Sequence, residues 1–350
     1  MIDPATLNQA APVPQNPRPI VAIGTGAIVR HAHWPAYKMA GFPVHSAFDT
    51  NPEAARALAE EFGVRHVCAT LEESVKTAPA DAVFDVSVPA IAIIPVLEAL
   101  PDGAAVLVQK PLGENLEQAL AIQELARRKG LFLACNFQLR FAPYALAVRD
   151  LVDRGVLGKI LEIDVKVNVR TPWELWDFLE KAPRMEFVYH SIHYLDLIRS
   201  FLGEPQRVLA STIKHPASPK LHSSRSAAIL DYGEWQRATL VTNHGHRWGT
   251  RHQQSEMRFE GEKGCAVFQM GLNMNYPEGE PDYLEFIGEG METWQRVPLA
   301  GSWFPHAFVG TMGSLMKGLE DPAYVVPTRL DDAVETMRLV EQAYECSDAS

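Results

Sequence analysis

The sequence predicts an α/β chain whose first half is a doubly wound parallel sheet and whose second half is an α+β domain on a large open, mostly antiparallel sheet. Three observations carry this. A short apolar run, Pro19 to Ile23, ends in a glycine turn and leads into a segment of helical character through Ala36 and Met39. Short apolar, β-branched runs then alternate with helical stretches as far as about residue 142. Beyond that point the rhythm changes to strands with half-buried alternation. At 350 residues the chain exceeds the usual size of a single core, so two domains are expected.

In order, Val44 to Phe48 reads as the second strand, and Asn51-Pro52 opens a helix rich in Ala, Leu and Glu that closes on Gly63. Ala82 to Val88, Ala104 to Val108 and Leu131 to Phe137 read as buried parallel strands, with helices near 90–100 and 115–129 between them. A helix near 143–154 closes on Gly155, a long strand runs from Lys159 to Arg170, and a helix from Ser191 to Leu202 ends on Gly203. Strands follow near 206–213, 225–231, 236–243, 255–260, 265–269 and 283–287, and helices near 305–319 and 330–345 close the chain. The expected division is a flexible extension over 1–17, a first domain over 18–141 and a second over 142–350.

Composition narrows the function classes. Apolar residues at 47% and charged residues at 21% are ordinary for a globular, cytoplasmic protein. The net charge of −11, with no basic block, argues against nucleic acid and anionic membranes as partners. Cys68, Cys135, Cys265 and Cys346 are far apart and form neither a C-x-x-C pair nor a metal cluster, so they are expected as buried thiols. The longest apolar run, around Ala90 to Leu100, is too short to span a bilayer. The first residues have neither the basic nor the apolar region of a signal peptide.

Gly24-Thr25-Gly26-Ala27-Ile28-Val29 matches G-x-G-x-x-G at its first two glycines and has Val29 at the third. Its place between a strand and a helix puts backbone N–H groups where they can hold a pyrophosphate. Gly24 suits the tight turn and Gly26 the close approach of phosphates. The third glycine serves helix–strand packing, so Val29 asks for a slightly wider fit. Asp49, followed by Thr50, stands at the end of the second strand, where an acid takes the adenosine ribose hydroxyls and repels a 2′-phosphate. NAD is therefore favoured over NADP. The alternative is that Asp49 caps the helix opened by Pro52.

Lys110 follows the strand Ala104 to Val108 and precedes Pro111, at the carboxyl end of a parallel strand, where open α/β sheets bind ligands. A lysine there can hold a substrate hydroxyl and, with a lowered pKa, assist its deprotonation. By base rate alone, a lysine at a strand end is a solvated surface residue.

Gly24-Thr25-Gly26-Ala27-Ile28, His33-Trp34-Pro35-Ala36, Gln109-Lys110-Pro111-Leu112 and Phe137-Gln138-Leu139-Arg140-Phe141 together resemble the Gfo/Idh/MocA family of glucose–fructose oxidoreductase-like and inositol dehydrogenase-like proteins. The resemblance covers roughly residues 19–345 and implies a Rossmann domain. It also implies that Lys110 contacts nicotinamide ribose and substrate, and that Ser87-Val88-Pro89 is a cofactor-facing loop. Gln109 and Gln138 are expected on the cofactor side and Arg140 on the substrate side. The family's Asp-x-x-x-His element matches here at His193, the implied acid–base partner of Lys110, with Tyr189 in the aspartate's place and Gln109 where glutamate is usual. His190 lies at i−3 from His193; it either replaces the missing acid as a substrate hydrogen-bond partner or is a satisfied histidine with no chemical role. No metal is expected, because the two histidines have no third ligand near them in sequence.

Trp173 and Trp176 combine aromatic faces with polar neighbours, as sugar sites do, although core packing explains such tryptophans equally. Trp303, Phe304 and His306 offer a weaker version of the same pattern. The expected activity is NAD-dependent oxidation of a secondary or hemiacetal hydroxyl of a sugar, sugar derivative or cyclic polyol. Redox-neutral, NAD-dependent glycoside cleavage and a non-catalytic NAD- or sugar-binding regulator are the alternatives. The resemblance further implies a homodimer or homotetramer formed through the antiparallel sheet.

Overall fold

The computed structural model describes residues 2–349. β1 (Ile20–Ile23), β2 (Val44–Phe48), β3 (His66–Val67), β4 (Val83–Val86), β5 (Ala105–Val108) and β6 (Phe132–Cys135) form one sheet in the order β3-β2-β1-β4-β5-β6. The recorded pairings in it are all parallel. β1, β4 and β5 are buried along their whole length, as continuous apolar runs require when helices cover both faces. The strand order reverses between β1 and β4, and the carboxyl ends beside that reversal are where such sheets bind ligands.

The helices follow their sequence signals. The one after β1 begins at Ala27, widens into a π turn over Val29–His33 with Val29 fully buried, and continues as α1 (Trp34–Ala40). α2 (Pro52–Phe62) is capped by Asn51, whose side chain accepts from the Glu53 and Ala54 N–H groups, and it ends on Gly63 in the left-handed region. α3 (Leu71–Lys76), missed in the sequence, is a short helix capped by Thr70. α4 (Ile93–Ala99) and α5 (Leu116–Arg128) complete the layer, and α5 buries the stripe Ala119, Ile122, Leu125 and Ala126.

Two expectations about domain limits are corrected. The compact unit around this sheet comprises Ala11–Phe141 together with Phe304–Met337, so the segment 304–337 does not belong with the second domain. The reason is packing. α8 (His306–Glu320) sends Phe308, Met312, Leu315 and Met316 into the same core as Trp34, Tyr37, Val83 and Leu107. Gly310 of α8 lies so close to Phe141 that a Cβ would stand 2.4 Å from its side chain. The chain then crosses the edge of the sheet, where Thr328 O accepts from Cys135 N at 2.8 Å and covers an otherwise open strand. Residues 1–17 are also no loose extension among those described: Gln15 and Asn16 N–H groups donate to the Glu320 carboxylate at 2.8 and 3.0 Å. In the other unit, Leu7 is buried and Asn8 N donates to Asp150 at 2.8 Å.

The second unit holds residues 2–10, Ala142–Trp303 and 338–349. α6 (Pro143–Asp153) and α7 (Ile192–Leu202) accompany a sheet of β7 (Ile160–Asn168), β8 (Arg207–Ile213), β9 (Arg225–Asp231), β10 (Arg237–Asn243), β11 (Gln254–Gly261), β12 (Gly264–Gln269), β13 (Tyr283–Gly288) and β14 (Gln295–Arg296). Its order is β14-β13-β12-β11-β7-β10-β9-β8, and β7 with β10 is the parallel pair in an otherwise antiparallel sheet. Ile163, Val165 and Val167 alternate inward along β7. On the opposite face, Lys166, Asn168, Gln254, Glu256 and Gln269 line an open polar cavity of about 440 Å³, which contains none of the residues expected to act in catalysis. The last helix, α9 (Leu330–Asp348), starts in the first unit and ends in the second. No helix among the described residues is long and apolar enough to cross a membrane.

One backbone contact sets the geometry of the strand ends. Gly24 has φ +98°, and a Cβ on it would stand 2.2 Å from Ser87 O, inside van der Waals contact with the β4 turn. Gly24→Ala is therefore expected to cost about 2–4 kcal/mol, from positive φ and forced separation of the two turns, and to lower Tm by several degrees. Gly26→Ala, whose Cβ would meet no atom within 4 Å, serves as the control. Thermal unfolding checks both, and an unchanged Tm for Gly24→Ala would contradict the close approach.

Candidate active site

The glycine turn is tied to the end of β2. Asp49 Oδ2 accepts from Thr25 N at 2.7 Å and Thr25 Oγ1 at 3.0 Å, while Oδ1 accepts from Asn51 N at 2.8 Å. The helix cap is thus Asn51, and Asp49 braces the turn instead of capping. Oδ1, with one donor, retains a lone pair for a ribose hydroxyl, whereas both acceptor sites of Oδ2 are taken by Thr25. A Cβ on Gly26 would meet no atom within 4 Å, and the first helical turn at Ala27 and Ile28 starts beside it, an arrangement of open backbone and N–H groups that suits a pyrophosphate. Gln138 is fully buried with Oε1 lacking a hydrogen-bond partner, an acceptor left over at the carboxyl end of β6. These residues suit a dinucleotide. Thr50 is exposed beside Asp49, and Val88 and Pro89 follow Ser87 into the loop after β4.

Beneath the strand ends lies a buried polar cluster that sequence reading missed as a functional unit. Asp85, in the middle of β4, has Oδ2 at 2.9 Å from His33 Nδ1, accepts from Tyr37 Oη at 2.9 Å, and accepts from Ser87 Oγ at 3.0 Å on Oδ1. His33 and Asp85 are essentially inaccessible to solvent. Burial first, then the Asp85 charge and hydrogen bond, push the Tyr37 phenol well above its ordinary range.

The protonation of His33 follows from its neighbours. Lys110 N–H donates to Gln109 Oε1 at 2.9 Å, which leaves the Gln109 amide nitrogen toward His33 Nε2 at 3.2 Å. Asn136 Nδ2 stands 3.1 Å from the same Nε2. Two amide donors require Nε2 to accept, so the ring proton sits on Nδ1 and donates to Asp85. A glutamate at position 109 would demand the opposite. Gln109 therefore matches a neutral His33, and Asp85, His33 and Gln109 form one hydrogen-bonded line ending at the Lys110 backbone.

Lys110 is half-buried at the end of β5, and its peptide bond to Pro111 is cis. Burial lowers its amine to about 8, with the buried Cys135 nearby acting slightly in the other direction. Arg140, expected on the substrate side, bonds Asp332 Oδ2 at 2.7 Å and Pro327 O at 3.0 Å with its guanidinium and so fastens the segment after α8.

In the second unit, His193 sits on the first turn of α7, buried, with its ring edge-on to Trp303 at 5.3 Å. The π turn Glu186–Ser191 leads into that helix and carries His190. The His190 ring meets His244 at 4.1 Å, Tyr194 at 5.5 Å and Trp173 at 6.3 Å, and Trp173 also packs on His244 at 5.0 Å. Glu186, four residues before His190 and wholly buried, accepts from Ser191 Oγ at 2.7 Å and lies 3.2 Å from His244 Nε2. Burial opposes its ionisation, but the His244 hydrogen bond and charge prevail and hold the carboxyl below its ordinary value. His190 is thus no isolated histidine, and Glu186 and His244 join it, the first legible as an i, i+4 pair and the second not. Tyr189, Trp176 and Trp173 pack against the small apolar cluster Leu179, Met185 and Leu221.

A parallel sheet in this order, a glycine turn braced by an acidic strand end and a half-buried lysine at the end of β5 define a dinucleotide-dependent oxidoreductase. Residues 19–137 match the family model for the oxidoreductase family with an NAD-binding Rossmann fold, and residues 145–267 match the Gfo/Idh/MocA C-terminal domain. The chain belongs to the Gfo/Idh/MocA oxidoreductase family. D-xylose dehydrogenase of Paenarthrobacter nicotinovorans is 23% identical over 281 residues, 71% of each chain. D-glucoside 3-dehydrogenase of Escherichia coli (strain K12) is 26% identical over 228 residues, 64% of each. An oxidoreductase from Agrobacterium radiobacter, solved with NAD+, L-tartaric acid and magnesium, shares the fold at TM-score 0.78 and 18% identity, covering 95% of this chain and 97% of that one.

The lowered Lys110 pKa has a consequence for stability. The folded value, about 8, lies below the unfolded value of about 10.4, so between these the unfolded chain binds more protons and unfolding becomes harder as pH rises. Relative to Lys110→Met, wild type is expected to gain Tm on going from about pH 7 to about pH 10. A constant difference between the two proteins in thermal unfolding would show that Lys110 titrates normally.

Proposed function

We propose that this chain is an NAD-dependent dehydrogenase that oxidises a secondary or hemiacetal hydroxyl of a sugar, sugar derivative or cyclic polyol. The observation that carries the reading is Lys110, a half-buried amine lowered to about 8 at the end of β5, two strands from the glycine turn. Gly24, Gly26, Ala27, Ile28 and Gln138 would hold the dinucleotide, with Asp49 on the adenosine ribose. A fixed carboxylate at that place disfavours a 2′-phosphate, which supports NAD over NADP. When bound, NAD supplies the hydride acceptor.

The residues of the chain do the rest. Lys110, as a cation, hydrogen-bonds the reacting oxygen and lowers the energy of the alkoxide. His193 takes the hydroxyl proton, since imidazole is the side chain with ordinary pKa nearest neutrality. Both roles reverse for carbonyl reduction. The hydrogen-bonded line through Gln109, His33 and Asp85 holds the Lys110 backbone in place. Sugar-like substrates are supported by the names of the relatives and by Trp173, a partly buried ring beside the polar groups of His190 and His244. A homo-oligomer is supported by the exposed apolar residues Leu209, Ile229 and Val241 on one face of β8–β10.

The test is NADH formation across a panel of aldoses, inositols and acidic sugars. With the best substrate, Lys110→Met is expected to lose several orders of magnitude in kcat while NAD affinity, read by calorimetry, is kept. Near wild-type turnover in that variant would overturn the reading.

A further inference from the structure

We infer that Glu186, His190 and His244 bind one first-row divalent transition-metal ion, of the zinc class, and leave a coordination position open to an exogenous oxygen ligand. Two imidazoles and one carboxylate are the donor set of open zinc sites, and this set also suits Co²⁺ and Ni²⁺. The three donor atoms all lie within 4.8 Å of one another. Glu186 Oε1 is 3.2 Å from His244 Nε2 and 3.7 Å from His190 Nδ1. Ligands about 2.0–2.1 Å from a common tetrahedral ion stand roughly 3.3 Å apart, and both distances from Glu186 Oε1 lie within about half an ångström of that spacing.

Three features distinguish it from an ordinary buried ion pair. Glu186 is wholly buried; Ser191, His244 and Ser226 hydrogen-bond its carboxylate, yet Oε2 lacks a partner of full hydrogen-bond geometry, so the group keeps acceptor capacity for a cation. The 3.7 Å separation to His190 Nδ1 is longer than a hydrogen bond and suits two ligands of a single ion. The ligands are also oriented from behind. Thr171 Oγ1 stands 2.8 Å from His244 Nδ1, which turns Nε2 toward the cluster, and Ser191 Oγ holds Glu186 Oε1. Regular structure positions all three: Glu186 and His190 on the π turn before α7, His244 just after β10, whose parallel neighbour β7 leads to Thr171.

Charge sets the ligand chemistry. A divalent ion with one carboxylate and two neutral imidazoles leaves a net positive centre, which favours a carboxylate, alkoxide or hydroxyl oxygen in the open position. His190 is the half-buried member, and its ring packs against Trp173 and Tyr194.

The experiment uses the full chain, stripped with a chelator and titrated with Co²⁺, with visible d–d absorption and elemental analysis as readouts. The expected result is one Co²⁺ per chain, displaced by Zn²⁺, with affinity falling roughly 100-fold or more in Glu186→Gln and in His244→Gln, and about 10-fold in Thr171→Val. Thermal unfolding of each variant shows whether it remains folded. Wild type that develops no d–d absorption up to millimolar Co²⁺, or folded Glu186→Gln and His244→Gln that bind Co²⁺ as wild type does, would overturn the assignment.

Discussion

The buried pair Asp85–His33 is the constraint on which the first unit's strand ends depend. A carboxylate at the centre of a fully buried strand is tolerable because three donors converge on it: the His33 ring, the Tyr37 hydroxyl and the Ser87 hydroxyl. Leaving such a charge uncompensated costs about 3–5 kcal/mol, so the helix carrying His33 and Tyr37 is held at a fixed height over β4. The π turn at Val29–His33 sits in that same helix, immediately beyond the glycine turn. From His33 the constraint passes to Gln109 and Asn136, at the ends of β5 and β6, and so to Lys110. One polar cluster thereby sets the mutual positions of the ends of three strands.

A second contact, between Gly24 and Ser87, brings the β1 and β4 turns together on the other side of the reversal in strand order. Asp49 completes the arrangement by bracing Thr25. The residues that shape the dinucleotide cradle are therefore rigid before anything binds, which keeps the ordering cost of binding low. The same logic recurs in the second unit, where Glu186 is fixed by Ser191 and His244 by Thr171.

Local chemistry in the sequence revealed much of this. The strand–turn–helix signal at Pro19–Ala36, the Asn51 cap and the lysine at a strand end all depend on neighbours within a few residues, and the structure shows them where the periodicity and turn residues place them. What escaped was long-range. The packing of 304–337 against Trp34 and Leu107 joins residues some 200–290 positions apart, and no local pattern carries that information. His33 was visible as part of a family motif, but its partners Asp85, Gln109 and Asn136 come from three separate strands. Arg140 was visible in the sequence as part of a family-like segment, but its partner Asp332 comes from the return of the chain some 190 residues on. Glu186 was readable as an i, i+4 neighbour of His190, whereas His244 reaches them through sheet pairing.

The account makes the chain a hydride-transferring enzyme whose chemistry centres on Lys110. Its most direct test is a single turnover with a substrate from the sugar panel deuterated at the carbinol carbon, followed by mass analysis of the cofactor. The account predicts deuterium in the reduced nicotinamide and a slower rate of its formation than with the protonated substrate. Substrate turnover without label ever appearing in the nicotinamide would contradict it.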